Sequence, residues 1–521
     1  MKRLISIGLA GILTCGLAGS AVADGNFHHG GFGHGGKTDF GRQVEELMNA
    51  QSEKLFGVKQ PLAEDAAAET LPRAGGQPAS ERIKLAKGLK ASYVARNMAV
   101  LADQITFWPN DSHYTHLIVC IEQGRSGTTP GGNGGYNASL QRVNVSTGQV
   151  ETILHGMSRC DGIRTTAWGT VLVTEETGDG RAYEVMDPLT TTDNWVADRA
   201  TGDIRDAVDS PNLSSNIVQR QALPTIAWEG LDVTPEGVVY GGDELRPGSP
   251  LDADGGAMFK FVPTIPASGP IGNLSQSPLA SGKVYAFQAS CVDKHSGSFP
   301  QYGQGCEIGE GAWVEVNALN ASANAGANGA TGYYRPEDGH FNPEYAGPGV
   351  QFCWTNTGEE SAANFGEVMC LSDENPLGEG QVFDGRTGLS YLADFGEGNT
   401  RDMAVATANR VFEGNPRFNS VDNLAFQPKR GNMFVVEDHP VGEVISCLQD
   451  GDDRDIKVDG CVSTLSVRDA SAEPTGFIFD GSGRTAFINI QHGEQPPELL
   501  DFFSNPVNGQ TDDLIMIRGW K

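Results

Sequence analysis

The chain is poor in positive charge. Its 37 Lys and Arg face 66 Asp and Glu, a formal net charge of −29, and no dense basic stripe interrupts the surplus. A polyanion needs such a stripe, so nucleic acid is excluded as the main partner. Helical periodicity is equally scarce, and is confined to residues 38–57, where Phe40, Val44, Leu47 and Met48 fall on one side. Beyond the leader no stretch approaches the ~18 consecutive apolar residues of a membrane span, so no transmembrane segment is expected. There is no Gly-x-Ser-x-Gly elbow and no Walker-type phosphate loop; Gly124-Arg125-Ser126-Gly127 and Gly131-Gly132-Asn133-Gly134-Gly135 read as turns.

What is present begins with a leader. Lys2 and Arg3 precede an apolar run that ends in Ala21-Val22-Ala23, which predicts a Sec-type export signal over residues 1–23 and a periplasmic or extracellular protein. Residues 24–80 are expected to hold a Gly/His-rich segment, a short helix and an Ala/Glu/Pro/Gly linker, and 81–521 the main domain. In an oxidising compartment thiols pair. The couples 291/306, 353/370 and 447/461 are spaced for local disulfides, which leaves Cys120 and Cys160 either to bond each other or to leave Cys160 as a thiolate for a metal.

From Lys84 onward the pattern is short apolar runs punctuated by Gly, Asn, Asp and Pro, among them His116–Ile121, Thr170–Val173, Gly237–Tyr240, Asn432–Val436 and Thr485–Ile490. The expected class is all-β. One unit recurs: a polar entry, a short strand, a turn with Gly, a second strand and a polar end. It runs from Cys160-Asp161-Gly162 to Glu175-Glu176, from Trp228-Glu229-Gly230 to Asp243-Glu244, from Asp422-Asn423 to Glu437-Asp438, and from Glu473-Pro474-Thr475-Gly476 to Gln491-His492. Arg335-Pro336-Glu337-Asp338 to Asn356 is a looser copy, and residues 105–123 supply a sixth. Such repetition predicts a β-propeller of about six blades with a short helical N-terminal extension. Equivalent strand ends would then converge, and their carboxylates would either form a ring around bound cations or face solvent as ordinary turn residues. Arg335 and Glu337 lie two apart, and Pro336 favours an extended residue before it, which predicts both side chains on one side.

These blocks resemble the PhoX family of secreted bacterial alkaline phosphatases over most of the chain from about Gly88. The matching elements are Cys160-Asp161-Gly162 with Trp168-Gly169-Thr170 and Glu175-Glu176, Trp228-Glu229-Gly230 with Asp243-Glu244, Arg335-Pro336-Glu337, and Glu473-Pro474-Thr475-Gly476 with Gln491-His492. The resemblance implies a propeller with calcium and ferric iron (Fe3+) on its axis that hydrolyses a small-molecule phosphate ester. It implies Cys160 as an iron thiolate, Glu229 and Glu337 as carboxylate ligands, Glu175 or Glu176 and Asp243 or Glu244 completing the shells, and Arg335 holding the phosphate. Hard oxygens suit calcium and ferric iron, and the planar Arg fork suits phosphate. The competing expectations are a calcium-stabilised propeller without catalysis and a calcium-dependent lactonase.

Overall fold

The computed structural model describes residues 40–125, 136–289, 307–378, 405–449, 457–501 and 504–521. The leader and the 291/306 pair lie outside them. Contacts divide the chain into Met1–Glu46, of which the start of the helix Phe40–Ala50 is described, and Leu47–Lys521, which carries every strand. Among the described residues no helix is long and apolar enough to cross a membrane.

The strands form a six-bladed propeller. Each blade starts with an inner strand: Ala102–Trp108, Cys160–Thr165, Trp228–Val233, Pro336–Phe341, Val421–Phe426 and Glu473–Phe479. These six touch in sequence and the last touches the first, so the ring is closed. Neighbouring strands extend each blade outward, all antiparallel except Val150–His155 with Asn194–Asp198 in the first, and the outer strands Gly309–Val316 and Val405–Glu413 join the third and fourth blades into one sheet. The sixth blade is completed by Lys90–Ala99 pairing with Thr511–Arg518, so early and late segments of the chain close the circle.

The alternation of strand side chains leaves both faces of each blade apolar, and the core lies between blades. Trp168, Trp228, Phe259 and Phe261 fill one such layer; Phe434, Phe477, Phe479 and Trp520 fill another, with Phe479 and Trp520 ring centroids 5.0 Å apart. Each buried ring contributes roughly 1.5–3 kcal/mol. The segment expected as a linker is part of this body. Arg73 is buried and bonds Asp513 at 2.8 Å, alongside Arg82 and Arg96 at 3.1 Å, so three guanidiniums converge on one carboxylate where the ring closes.

Disulfides join Cys353 to Cys370 and Cys447 to Cys461, each pair directly opposed in its ladder. A third joins Cys120 of the first blade to Cys160 of the second. Cys160 is thus paired, one of the two outcomes open to it, and a disulfide sulfur is no thiolate.

Two glycines permit the inner strands to close around the axis. A Cβ on Gly162 would lie 2.4 Å from Glu229 O, and one on Gly230 would lie 2.1 Å from Gly339 N. Each follows a motif carboxylate, which explains the recurring acid-glycine pair. Gly230→Ala must displace the backbone of the fourth blade, and should lower unfolding free energy by about 1–3 kcal/mol, read as a reduced denaturation midpoint. An unchanged midpoint would contradict the close approach.

Candidate metal centre

The same irregularity occurs at the start of every inner strand. Ala102 pairs with Ile121 but Ile105 with Val119, so three steps on the inner strand match two on its neighbour. The offset recurs after Cys160, Trp228, Pro336, Val421 and Thr475. It is a β-bulge, which turns a side chain out of the strand's alternation. The residue entering the bulge is Asp103, Asp161, Glu229, Glu337 and Asp422 in five blades and Gly476 in the sixth, where Glu473 supplies a carboxylate three positions earlier.

The second strand adds another group. Just past its end, Glu122, Glu176, Glu244, Thr357 and Asp438 each donate their backbone N–H to the carbonyl of the residue that precedes the inner strand: Leu101, Arg159, Ala227, Arg335 and Ser420. This tether sets which member of each acidic pair meets the axis. Glu175 and Asp243 sit one residue earlier, inside the ladder opposite Cys160 and Trp228, and turn away. Glu175 accepts from Ser158 N at 2.8 Å, Arg181 N at 3.0 Å and Arg199 Nε at 2.9 Å. Asp243 accepts from Ala227 N at 2.9 Å. Neither joins an axial group, so of the two alternatives in each pair the structure brings Glu176 and Glu244 to the axis.

Three overlapping groups result. Asp103, Glu122 and Asp161 offer one ligand oxygen each within 4.8 Å of one another, as do Asp161, Glu176 and Glu229, and again Glu229, Glu244 and Glu337. Asp161 and Glu229 are shared between neighbours. Asp103, Glu122, Asp161 and Asp422 are not among the expected ligands, although Glu122, Asp161 and Asp422 stand in the repeated motif; position in the bulge singles out Asp103, Asp161 and Asp422, and the tether past the second strand singles out Glu122.

Burial raises the carboxyls of Asp103, Asp161, Glu176 and Glu229 well above the usual range, and neighbouring carboxylates add to the rise. Glu337 is pushed up to about 8, by burial first and then by the Glu244 charge, against the opposing pull of Arg335. Glu473 is raised to about 7, again chiefly by burial. Arg335 places Nη2 2.6 Å from Glu244 and 3.0 Å from Glu337, so the guanidinium and Glu337 do share one cavity. The cause differs from expectation. Arg335 has φ 59°, in the left-handed region and not extended, and this kink aims its side chain at the axis.

The donor set fits a hard cation. Asp103 Oδ1, Asp161 Oδ1 and Glu229 Oε2 are buried with no hydrogen-bond partner, and an uncompensated buried carboxylate costs several kcal/mol unless a cation or proton neutralises it. All donors are oxygens, which suits calcium. The thiolate of the implied iron site is absent, leaving carboxylates alone for iron.

Fold and site together define a six-bladed propeller whose axis carries three carboxylate groups able to hold a metal ion, with Arg159 and Arg335 beside them. The family model for alkaline phosphatase PhoX matches residues 133–494, and the chain belongs to that family. PhoX of Pseudomonas fluorescens, solved with vanadate, a transition-state analogue, superposes with a TM-score of 0.52 at 14% identity, covering 86% of this chain and 97% of that one. A gluconolactonase of Xanthomonas campestris gives 0.38 at 11% identity, covering 88% and 98%. No curated protein matches in sequence.

The metal-stripped protein should lose stability as pH rises. With Glu473 raised to about 7 and Glu337 to about 8 against an ordinary 4.5, the folded state holds more protons than the unfolded chain between pH 4.5 and 8, so unfolding becomes easier across that window. Melting temperature should fall from pH 5.5 to 8, and calcium should restore it at pH 8. A rise or a flat profile without metal would contradict the buried ring.

Proposed function

We propose that the chain is an exported, metal-dependent phosphatase that hydrolyses phosphate esters at the axial mouth. The observation that carries the reading is the run of buried, partnerless carboxylate oxygens on Asp103, Asp161 and Glu229, next to the arginine of the family's Arg-Pro-Glu element. Family membership supports the chemistry. The all-oxygen donor set makes calcium the cation assigned, with Asp103, Glu122, Asp161, Glu176, Glu229, Glu244 and Glu337 as ligands. The leader and the disulfides support export and removal of residues 1–23.

Bound cations polarise a phosphoryl oxygen and activate an oxygen nucleophile. The chain's own residues do the rest. Glu229 and Glu337 must release their protons to bind cations, which couples occupancy to pH. Arg335 is held between Glu244 and Glu337 by Nε and Nη2, and among the described residues no bond engages its Nη1. That edge is left to meet the ester oxygens and offset the charge that builds on them.

One observation favours the second reading, a calcium-stabilised propeller without catalysis: the pairing of Cys160, which removes the only thiolate implied for iron. Activity separates the two. With calcium supplied, Arg335→Lys keeps the charge but loses the planar fork, so turnover of a phosphomonoester should fall at least about tenfold, or ~1.4 kcal/mol, with little change in melting temperature. Glu337→Gln should lower calcium content as well as rate. Full activity of Arg335→Lys would remove its role, and a wild type inert with calcium and iron supplied would leave the non-catalytic reading.

A further inference from the structure

Arg335 has a counterpart two blades away. Arg159 also immediately precedes an inner strand, also adopts the left-handed region, with φ 55°, and also presents its carbonyl to the tether from the second strand. A non-glycine residue in that region costs about 1–3 kcal/mol, and it persists only where the surroundings impose it. The ion pairs repeat too. Arg335 reaches Glu244, the strand-end acid of the preceding blade, and Arg159 reaches Glu122, the strand-end acid of its own preceding blade. Each then takes a second carboxylate at the axis, Glu337 at 3.0 Å for Arg335 and Glu176 at 2.7 Å for Arg159.

The two guanidiniums flank the third blade. Glu229 stands close enough to both to act on their charge, and it is the oxygen ligand shared by two adjacent groups. They differ in depth: the side chain of Arg335 is 18% exposed and that of Arg159 46%. Both ion pairs of Arg159 run through Nη2, and among the described residues no hydrogen bond engages its Nη1 or Nε. The carboxylate groups thus carry a deep guanidinium beside Glu244 and Glu337 and a shallower one beside Glu122 and Glu176.

We infer that Arg159 binds a second phosphate group of the substrate, so that the site prefers a phosphate ester carrying another phosphate, as in a bisphosphate or a phosphoanhydride, over a simple monoester. The inference rests on the phosphatase reading of the axial mouth. The deep Arg335 takes the phosphoryl group that is transferred, and the shallow Arg159 takes the group that stays on the leaving portion, nearer solvent. Its Nη1 and Nε, on separate edges of the guanidinium, give such an anion single N–H donors beside a fixed positive charge.

Calorimetry on the calcium-loaded full chain tests this, with fructose 1,6-bisphosphate, ADP and fructose 6-phosphate as probes. The wild type should bind the two doubly phosphorylated probes at least about tenfold tighter than the monophosphate, and Arg159→Gln should erase that preference while fructose 6-phosphate weakens no more than about threefold. Turnover should follow, with KM for the doubly phosphorylated substrates rising more than kcat falls. Calcium content and melting temperature of the variant report whether Glu122 and Glu176 still hold their cations and the chain its fold. Equal losses for all three probes, or no loss for any, would overturn the inference and leave the phosphatase reading standing. Preference for one of the two probes would say whether a bisphosphate or an anhydride is read. A wild type that binds none of them would overturn the phosphatase reading itself, and the inference with it.

Discussion

Repulsion among buried carboxylates is the constraint on which this molecule turns. Two such charges 4 Å apart interact by about 4 kcal/mol at an effective dielectric of about 20, and the axial mouth holds seven in three overlapping groups. Arg159 pairs with Glu122 and Glu176, and Arg335 with Glu244 and Glu337. Asp103 Oδ1, Asp161 Oδ1 and Glu229 Oε2 have no hydrogen-bond partner among the described residues. The chain must therefore keep protons on them or bring in cations, and the first option fails as pH rises.

The rest of the architecture serves to hold that arrangement against its own repulsion. The bulges re-aim one residue per blade, and the tether from the second strand places a second. Inter-blade bonds lock the inner strands together: Gln104 Nε2 donates to Glu229 O at 3.3 Å, Leu424 N to Asp338 Oδ2 at 3.2 Å, and Gln491 Nε2 to Asp103 Oδ2 at 2.9 Å. The disulfide between Cys120 and Cys160 ties together the strands that carry Glu122 and Asp161, two ligands of one group. At the closure of the ring, Asp513 binds Arg73, Arg82 and Arg96, so opening the propeller would leave several buried charges unpaired.

The propeller was legible because its unit is written in local pattern: apolar runs, a glycine turn and polar ends recur at each blade. The pairs 353/370 and 447/461 were legible for the same reason, since close spacing in a hairpin places partners opposite. The 120/160 pair links two blades across forty positions and has no local signal. Choosing Glu176 over Glu175 and Glu244 over Asp243 needed the ladder register, which sequence does not carry. Asp103 escaped because the sixth copy was started at residue 105, past its bulge. Pro336 argued for an extended Arg335, but the tether from Thr357 and the ion pair with Glu244 hold it left-handed instead. Residues 58–80 read as a linker by composition because Arg73 finds its partner only in the folded ring.

The most direct test of the account is a count of bound calcium per chain, by elemental analysis after dialysis at pH 8 against micromolar calcium. Glu229 is shared by two of the three groups. The account predicts more than one calcium per wild-type chain and a clear loss of bound calcium in Glu229→Gln with the fold retained. A wild type without bound calcium, or a Glu229→Gln chain that binds as much as the wild type, would contradict it.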